Sequence, residues 1–151
     1  MDLEHLASKI KEEFPEALRD ARTFRGEHTL EIRSGDILPV CRFLRDDPEF
    51  SFDFLTDLCG TDDYPREPRF GVVYHLFALK TKNRLRLKVS LPGENPRIPS
   101  VVSIWKGANW LEREAFDMYG IVFEGHPDLR RILLAPDWQG HPLRKDFPLK
   151  G

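Results

Sequence analysis

The C-terminal part of the sequence carries the residues whose types and spacing could do chemistry. Gly-His-Pro occurs twice, and the two triplets place His126 and His141 15 residues apart. Two imidazoles with a nearby aspartate could bind zinc, and the protein would then be a metal-dependent hydrolase. Zinc sites, however, usually take two ligands from a close pair such as HxxxH. The sequence has no such pair. Because Gly and Pro fix unusual backbone, each triplet is better interpreted as a turn whose imidazole binds neighbouring backbone groups.

Basic residues follow both histidines: Arg130 and Arg131 after the first, Arg144 and Lys145 after the second. Guanidinium groups in irregular backbone suit paired hydrogen bonds with carboxylates, which could be those of the preceding helix or those of another subunit. A phosphate or nucleic-acid site would also suit the charge, but the sequence contains neither a P-loop nor GxGxxG, and its net charge is −2. A polyanion-binding module therefore remains an alternative only if the polyanion binds a local basic patch. We expect no nucleic-acid partner.

Carboxylates gather in the segment just before these turns. Glu112, Glu114 and Asp117 surround Arg113. Paired carboxylates on one helix face could do acid/base work or hold a metal, but Arg113 can pair with Asp117 four residues later. A structural or interface role is therefore favoured, and with no nucleophile motif recognisable we assign no catalytic, cofactor-binding or metal-binding residue.

Helices are predicted at three places along the chain. Apolar residues recur at helical spacing over 3–14, behind Asp2 as the capping residue, and again from about 36 to 46, behind Ser34 or Asp36. The third helix lies near 109–120. Its start is predicted as an Asn version of the capping box, Asn109 with Glu112, and its end as Gly120; the preceding VVSIW also looks helical.

Strands are predicted over TLEIR, FSFDFLTDL, RFGVVYHLFAL and RLRLKVSL, with KTKN as a hairpin between the last two. The third is apolar on both faces and should lie in the middle of the sheet with both faces covered. The fourth alternates, so that Arg84, Arg86 and Lys88 should face solvent. The other side chains predicted to be buried are Cys41, Phe50, Phe52, Phe54, Cys59 and His75.

These elements predict one α+β domain over 1–151. An α/β core at 1–97 would hold a mixed, mostly antiparallel sheet of about four strands with two N-terminal helices, and 98–151 would hold the helix near 109–120 and an extended irregular tail. The composition is that of a soluble packed domain. The N-terminus lacks the apolar region of a signal peptide, and no run of about 18 apolar residues offers a membrane span. We expect any membrane association to be indirect.

The run ANWLEREAFDMYGIVFEGHPDLRRIL resembles the signature of the thirty-kilodalton subunit, designated C, of proton-pumping NADH:quinone oxidoreductase, which is respiratory complex I. The resemblance is carried by Glu112-Arg113-Glu114, Asp117-Met118-Tyr119, His126, Arg130 and Ile132-Leu133. It extends over roughly 98–149, including GHPLRKDFPL at the end. Many relatives continue beyond KDFPL with a C-terminal extension.

The resemblance implies a non-catalytic peripheral-arm subunit that supports electron transfer from NADH to quinone. It would dock on the quinone-site subunit, designated D, beside the iron–sulfur subunit, designated B, at the cytoplasmic side of the bacterial inner membrane. FMN, the iron–sulfur clusters and quinone would be held by partner subunits, and this chain would have no cofactor and no independent activity. Equivalent subunits of membrane-bound nickel–iron hydrogenases and of quinone reductases with other donors are the alternative.

We expect the helix 109–120 and the tail 125–149 to form the docking surface, with Trp105, Trp110 and Trp138 as possible apolar anchors. A lone small domain could hardly fix such a tail, so it should be mobile without its partner. The residues predicted at the partner interface are Trp110, Glu112, Arg113, Glu114, Asp117, His126, Arg130, Arg131, His141, Arg144, Lys145 and Asp146.

Overall fold

The order of helices and strands is given by a computed structural model that describes residues 1–146. Along the chain lie α1 (Leu3–Glu13), β1 (Leu18–Phe24), β2 (Glu27–Ile32), a 3-10 turn (Ser34–Asp36), α2 (Ile37–Asp46), β3 (Phe54–Asp62), β4 (Phe70–Phe77), β5 (Arg84–Leu91), β6 (Arg97–Pro99), α3 (Ala108–Tyr119) and β7 (Val122–Glu124). The α+β class is confirmed. The last three residues of the predicted tail, 147–149, lie outside the described part.

The main sheet has five strands in the order β1-β2-β5-β4-β3. All neighbours are antiparallel except β2 and β5, which are parallel, so the sheet is mixed as predicted. The prediction of about four strands missed β1. This strand has six exposed residues out of seven, so it lacks the alternation that marks a half-buried strand. A separate parallel pair, β6 and β7, was also not predicted.

The predicted helices are present close to their predicted bounds, but the capping of α2 and α3 differs from the prediction. Asp2 caps α1 as expected, because its carboxylate accepts hydrogen bonds from the amides of Glu4 and His5 at 3.0 and 3.3 Å. Asp36 does not cap α2, since its carboxylate instead binds Arg33 Nε at 2.7 Å. The segment VVSIW forms turns rather than helix, and α3 begins only at Ala108.

The core lies on one face of the sheet. Buried residues of α1 and α2, such as Ile10 and Leu44, join Tyr74 of β4 and Leu87 of β5 in one cluster. Neighbouring positions on the opposite face of β4 are only partly buried. The prediction that both faces of this strand are covered is therefore wrong for the described residues, since only one face is packed by helices of this chain.

The open face explains which core predictions fail. Cys41, Phe50 and Phe52 are buried as predicted, whereas Phe54 is 48% exposed. Cys59 is exposed as well. His75 is only half-buried, because it lies on the open face opposite Arg86 of β5. The predicted row of β5 lies on the face away from the core, since its members alternate with buried leucines and valine, but only Arg84 is exposed, while Arg86 and Lys88 are half-buried.

Candidate functional site

Two carboxylates of α3 point inward. Glu112 and Asp117 are both completely buried. The predicted capping box of Asn109 and Glu112 is wrong, because the Glu112 carboxylate instead accepts from Ser100 Oγ at 2.6 Å and from the Val101 amide at 2.8 Å. Glu112 therefore fastens the helix to the loop before it.

The surroundings of Glu112 hold further buried ionisable groups. Burial raises the pKa of Glu112 to about 7, although the hydrogen bonds from Ser100 and Val101 act in the opposite direction. Burial, with Glu112 nearby, also raises the pKa of Cys41 and of Tyr74. The Tyr74 hydroxyl has no hydrogen-bond partner among residues 1–146. This part of the core therefore favours uncharged side chains.

Asp117 collects hydrogen bonds from the tail. The Arg131 guanidinium donates both to its carboxylate and, at 2.8 Å, to its backbone carbonyl. The same carboxylate accepts from three successive amides, those of Ile132 at 3.2 Å, Leu133 at 2.8 Å and Leu134 at 3.0 Å. One side chain thus fixes four consecutive tail residues.

The ionisation of Asp117 follows from these contacts. Burial by itself would raise the pKa of this carboxyl, but the hydrogen bonds from Arg131 and from the three amides outweigh it, so the pKa lies below its usual value. Asp117 therefore carries its charge in the folded chain, and charge-assisted hydrogen bonds of this kind are the strong ones.

Both terminal nitrogens of Arg131 also hold the second Gly-His-Pro turn. They donate to the carbonyls of Trp138 and Gly140, both at 2.6 Å. His141 Nδ1 donates to the Asp117 carbonyl at 2.9 Å. Burial lowers the pKa of His141, and the neighbouring guanidinium groups lower it further, so that the imidazole is held neutral. The predicted turn with a backbone-bound imidazole is confirmed here.

Gly120, the predicted end of α3, makes room for this turn. Its φ is +79°, in the left-handed region, and an added Cβ would lie 2.7 Å from an Arg144 nitrogen and 2.8 Å from the His141 ring. Arg144 Nε in turn donates to the Tyr119 carbonyl at 2.7 Å. The end of the helix is therefore sealed by side chains of the tail.

The last described residues return to the sheet. Arg69 binds Asp62 through two nitrogens at 2.8 and 2.9 Å and binds Asp146 at 2.6 Å. The Asp62 carboxylate also accepts from the Lys145 amide at 2.8 Å. Pairing with Arg69, together with that amide, holds the pKa of Asp62 far below its usual value. Sequence reasoning missed Asp62 and Arg69, since nothing local marks a pair whose third member lies 77 positions away.

The first Gly-His-Pro turn is held separately. His126 Nε2 donates to the Asn109 carbonyl at 3.2 Å, and Nδ1 accepts from the Asp128 amide at 2.9 Å. Both ring nitrogens of His126 therefore form hydrogen bonds with backbone groups, as predicted. Within residues 1–146, no three histidine, cysteine or acidic side chains lie close enough together to hold a metal ion.

Arg113 does not pair with Asp117, which corrects the i, i+4 prediction. Its Nε donates to the Arg130 carbonyl at 3.3 Å, and its guanidinium lies 5.7 Å from the centre of the Trp110 ring. Arg130 pairs with Asp128 at the surface. These outward groups border the docking surface predicted from the sequence.

Large apolar side chains are exposed in the same region. Trp110 is 53% exposed, Leu133 and Leu143 are each 52%, and Trp138 is 46%. Trp105, the third predicted anchor, is instead buried, and its indole donates to the Phe52 carbonyl at 3.1 Å. It is therefore part of the core rather than of a surface.

The tail is bound by two carboxylates of this chain: Asp117 lies on the preceding helix, as one alternative from the sequence expected, and Asp62 lies on β3 and was not predicted. Asp117 and Asp62 together bind backbone or guanidinium groups at 131–134 and at Lys145. The expectation that a lone domain could hardly fix the tail is therefore wrong for these positions, which the chain binds by itself. The segment between these positions is held as well, because Arg131 donates to the carbonyls of Trp138 and Gly140.

Within residues 1–146, no helix has both the length and the apolar character needed to cross a bilayer.

The sequence of this chain is similar to the sequences of known proteins. A family model described as the respiratory-chain NADH dehydrogenase 30 kDa subunit matches residues 30–151. The NADH-quinone oxidoreductase subunit designated C from Roseiflexus sp. strain RS-1 is 49% identical over 149 residues, which are 99% of this chain and 86% of the relative. The subunit designated C 2 from Rhizobium meliloti strain 1021 is 51% identical over 138 residues, or 91% of this chain and 75% of the relative.

Two solved structures share the fold. A trypsin-resistant fragment of Nqo5 superposes with a TM-score of 0.68 and 34% identity, over 85% of this chain and all of that fragment. A chain of the membrane-bound sulfane sulfur reductase, an archaeal respiratory membrane complex, superposes with a TM-score of 0.79 and 25% identity, over 97% of this chain and 85% of the other.

Proposed function

The chain belongs to the family of the respiratory-chain NADH dehydrogenase 30 kDa subunit, and on this premise we propose that it is a non-catalytic peripheral-arm subunit of a proton-translocating NADH:quinone oxidoreductase. It supports electron transfer from NADH to quinone by docking on the quinone-site subunit, beside the iron–sulfur subunit. FMN, the iron–sulfur clusters and quinone are held by its partners. The chain lies peripherally at the cytoplasmic side of the bacterial inner membrane.

The observation that supports docking is a rigidly held segment that exposes large apolar side chains. Trp138 and Leu133 each expose about half of their surface, although the backbone at Leu133 is bound by Asp117 and the Trp138 carbonyl by Arg131. Aromatic side chains are enriched at the centres of interfaces, and a surface that is already ordered loses little entropy on binding.

The predicted interface residues divide into two groups under this proposal. One group is bound within the chain: Glu112 holds the loop before α3, and the residues that fix the tail are Asp117, His126, Arg131, His141, Arg144 and Asp146. The other can meet a partner: Trp110, Arg113, Glu114, Arg130 and Lys145. The first group shapes the docking surface, and the second contacts the neighbouring subunit.

Affinity purification of the chain from its native membrane tests the proposal. We expect the quinone-site and iron–sulfur subunits to co-purify, together with FMN and iron. The double variant W110A/W138A should reduce co-purification because it removes two exposed aromatic anchors. F24A is the matched control, since Phe24 is 67% exposed at the opposite edge strand. A chain that leaves the membrane alone would count against the proposal.

A second candidate is the equivalent subunit of a complex that uses another electron donor. The likeness to a chain of an archaeal sulfane sulfur reductase complex over 97% of this chain favours it. The same purification distinguishes the two candidates. An FMN-containing NADH-oxidising module supports the first, and a nickel–iron hydrogenase or a sulfur-reducing module in its place supports the second.

A further inference from the structure

A groove runs between α3 and the edge strand β3. Its volume is about 220 Å³. Leu111, Ala115 and Met118 of α3 give it an apolar wall, and Leu143 of the tail closes one side. Gly60 of β3 lets the helix approach, because an added Cβ there would lie 2.6 Å from the Tyr119 ring. The groove is therefore built by three separate parts of the chain that pack closely.

The charged side chains that line the groove are both acidic. Asp57 of β3 and Glu114 of α3 both line it, and no lysine, arginine or histidine of the described chain does. Within residues 1–146, neither carboxylate takes part in an ion pair, and the one hydrogen bond to Asp57 comes from the adjacent Leu58 amide. Most other carboxylates near the tail are already paired, as Asp117 is with Arg131.

The groove is continuous with the proposed docking surface. Leu143 belongs both to the groove and to the exposed apolar side chains of the tail. Glu114 is among the residues predicted at the partner interface. An apolar side chain that enters the groove would therefore belong to a partner already lying against the tail.

We propose that this groove receives an apolar side chain from a cationic segment of a companion subunit, whose lysine or arginine residues pair with Asp57 and Glu114. The assignment rests on the proposed function and names the partner chemistry at one part of its docking surface. Apolar burial supplies the attraction, and the two carboxylates select the partner, because an acidic segment would meet like charge. A lysine or arginine has the reach to pair at the rim while its stem covers the apolar wall.

The thiol of Cys59 reports on the groove directly. It lines the groove and is exposed, whereas Cys41, the other cysteine, is fully buried. N-ethylmaleimide should therefore label Cys59 in the isolated full-length chain, at pH 8.5 because burial and Asp57 raise the pKa of this thiol. In the assembled complex we expect labelling at least tenfold slower. C59S identifies the labelled position.

Charge reversal at the rim tests the partner chemistry. E114K should lower recovery of companion subunits about tenfold, and E114Q should lower it less, since it removes charge without adding repulsion. E12K is the matched control, because Glu12 is exposed on α1, away from the groove. Circular dichroism of each variant confirms that it is folded.

The outcomes separate this proposal from the proposed function. If the wild-type chain recovers its partners but Cys59 is labelled equally fast in the complex, the groove is empty and only this proposal fails. The same holds if E114K assembles like E12K. If Cys59 is protected in the isolated chain at high concentration, a second copy of the chain is the occupant and the proposal is overturned. If the wild-type chain recovers no partner, both proposals fall together.

Discussion

Asp117 shows how one residue can organise a segment without regular structure. Its carboxylate is fully buried, yet it is compensated by a guanidinium and three backbone amides. A buried charge is tolerated only when it is paired and hydrogen-bonded in this way. The tail is therefore ordered by charge rather than by apolar packing.

Replacing Asp117 with Asn should release the tail. The Arg131 side chain, which is 10% exposed, would lose its charge partner, and breaking a buried pair typically costs about 3 kcal/mol or more. We expect the amides of Leu133 and Leu134 to exchange roughly a hundredfold faster, with β4 and β5 unchanged. Hydrogen exchange of the isolated chain measures this. D128N, which breaks an exposed pair, is the control, and equal protection in both variants would contradict the assignment.

Glu112 predicts that the stability of the fold falls as pH rises towards neutrality. Its pKa in the folded chain, about 7, lies above its ordinary value of 4.5, so the folded chain holds this proton more tightly. Its contribution to the free energy of unfolding is therefore full below pH 4.5 and is lost as pH rises to 7, by about 3 kcal/mol. E112Q keeps an acceptor for Val101 and should remove this decline in urea unfolding measured at pH 5 and pH 8. If the free energy of unfolding changed equally between pH 5 and pH 8 in the wild type and in E112Q, Glu112 would not be the cause of the decline.

At the scale of helices and strands, the sequence predicted what depends on near neighbours. The start of α1 was correct because Asp2 binds amides two and three residues away. The capping box predicted for α3 was wrong because the partners of Glu112 are Ser100 and Val101, on the loop that the helix packs against. A capping rule cannot foresee a tertiary partner that outcompetes the local one.

The candidate site follows the same division. The two turns and their backbone-bound histidines could be predicted, because Gly and Pro encode them locally. For Asp117 the sequence left two pairings open, with Arg113 of the same helix or with an arginine of the tail, and it could not decide for Arg131, since helical spacing favours the nearer arginine. Likewise, β1 gave no strand signal because it borders the sheet with little apolar surface to bury.

The role of Gly120 at the end of α3 can be tested by replacing two glycines, one at a time, with alanine. G120A should lower the free energy of unfolding by about 2 kcal/mol, because alanine at φ +79° is strained and its Cβ would contact Arg144 and His141. G107A has open space around its Cβ and φ −61°, so it should be neutral or slightly stabilising. Urea unfolding of both variants gives the comparison, and equal midpoints would contradict the role of Gly120.

For the whole molecule, two anchors join the tail to the domain at separate places. Asp117 fixes residues 131–134 to α3, and Asp62 with Arg69 fixes 145–146 to the sheet. Both carboxyls have a lowered pKa in the folded chain. Both anchors should therefore weaken in acid.

Acid is predicted to loosen the tail before the domain unfolds. A lowered pKa gives stability that is present above pH 3.8, the ordinary value, and is lost as pH falls through the folded value. We expect the fluorescence of Trp138, obtained as the difference between wild type and W138F, to change below pH 3.8 while far-ultraviolet circular dichroism persists. Simultaneous loss of both signals would mean that tail and core unfold as one unit.

The parallel pairing of β2 with β5 has a consequence for how the chain is made. Thr29 of β2 meets Arg86 of β5, so the first hairpin cannot join the sheet until β5 has left the ribosome. Until then, the edge of β2 that pairs with β5 stays unpaired, although Leu30 and Ile32 of this strand are buried in the finished fold. The nascent chain therefore emerges with an apolar, unpaired strand edge, the kind of surface that chaperones bind during translation.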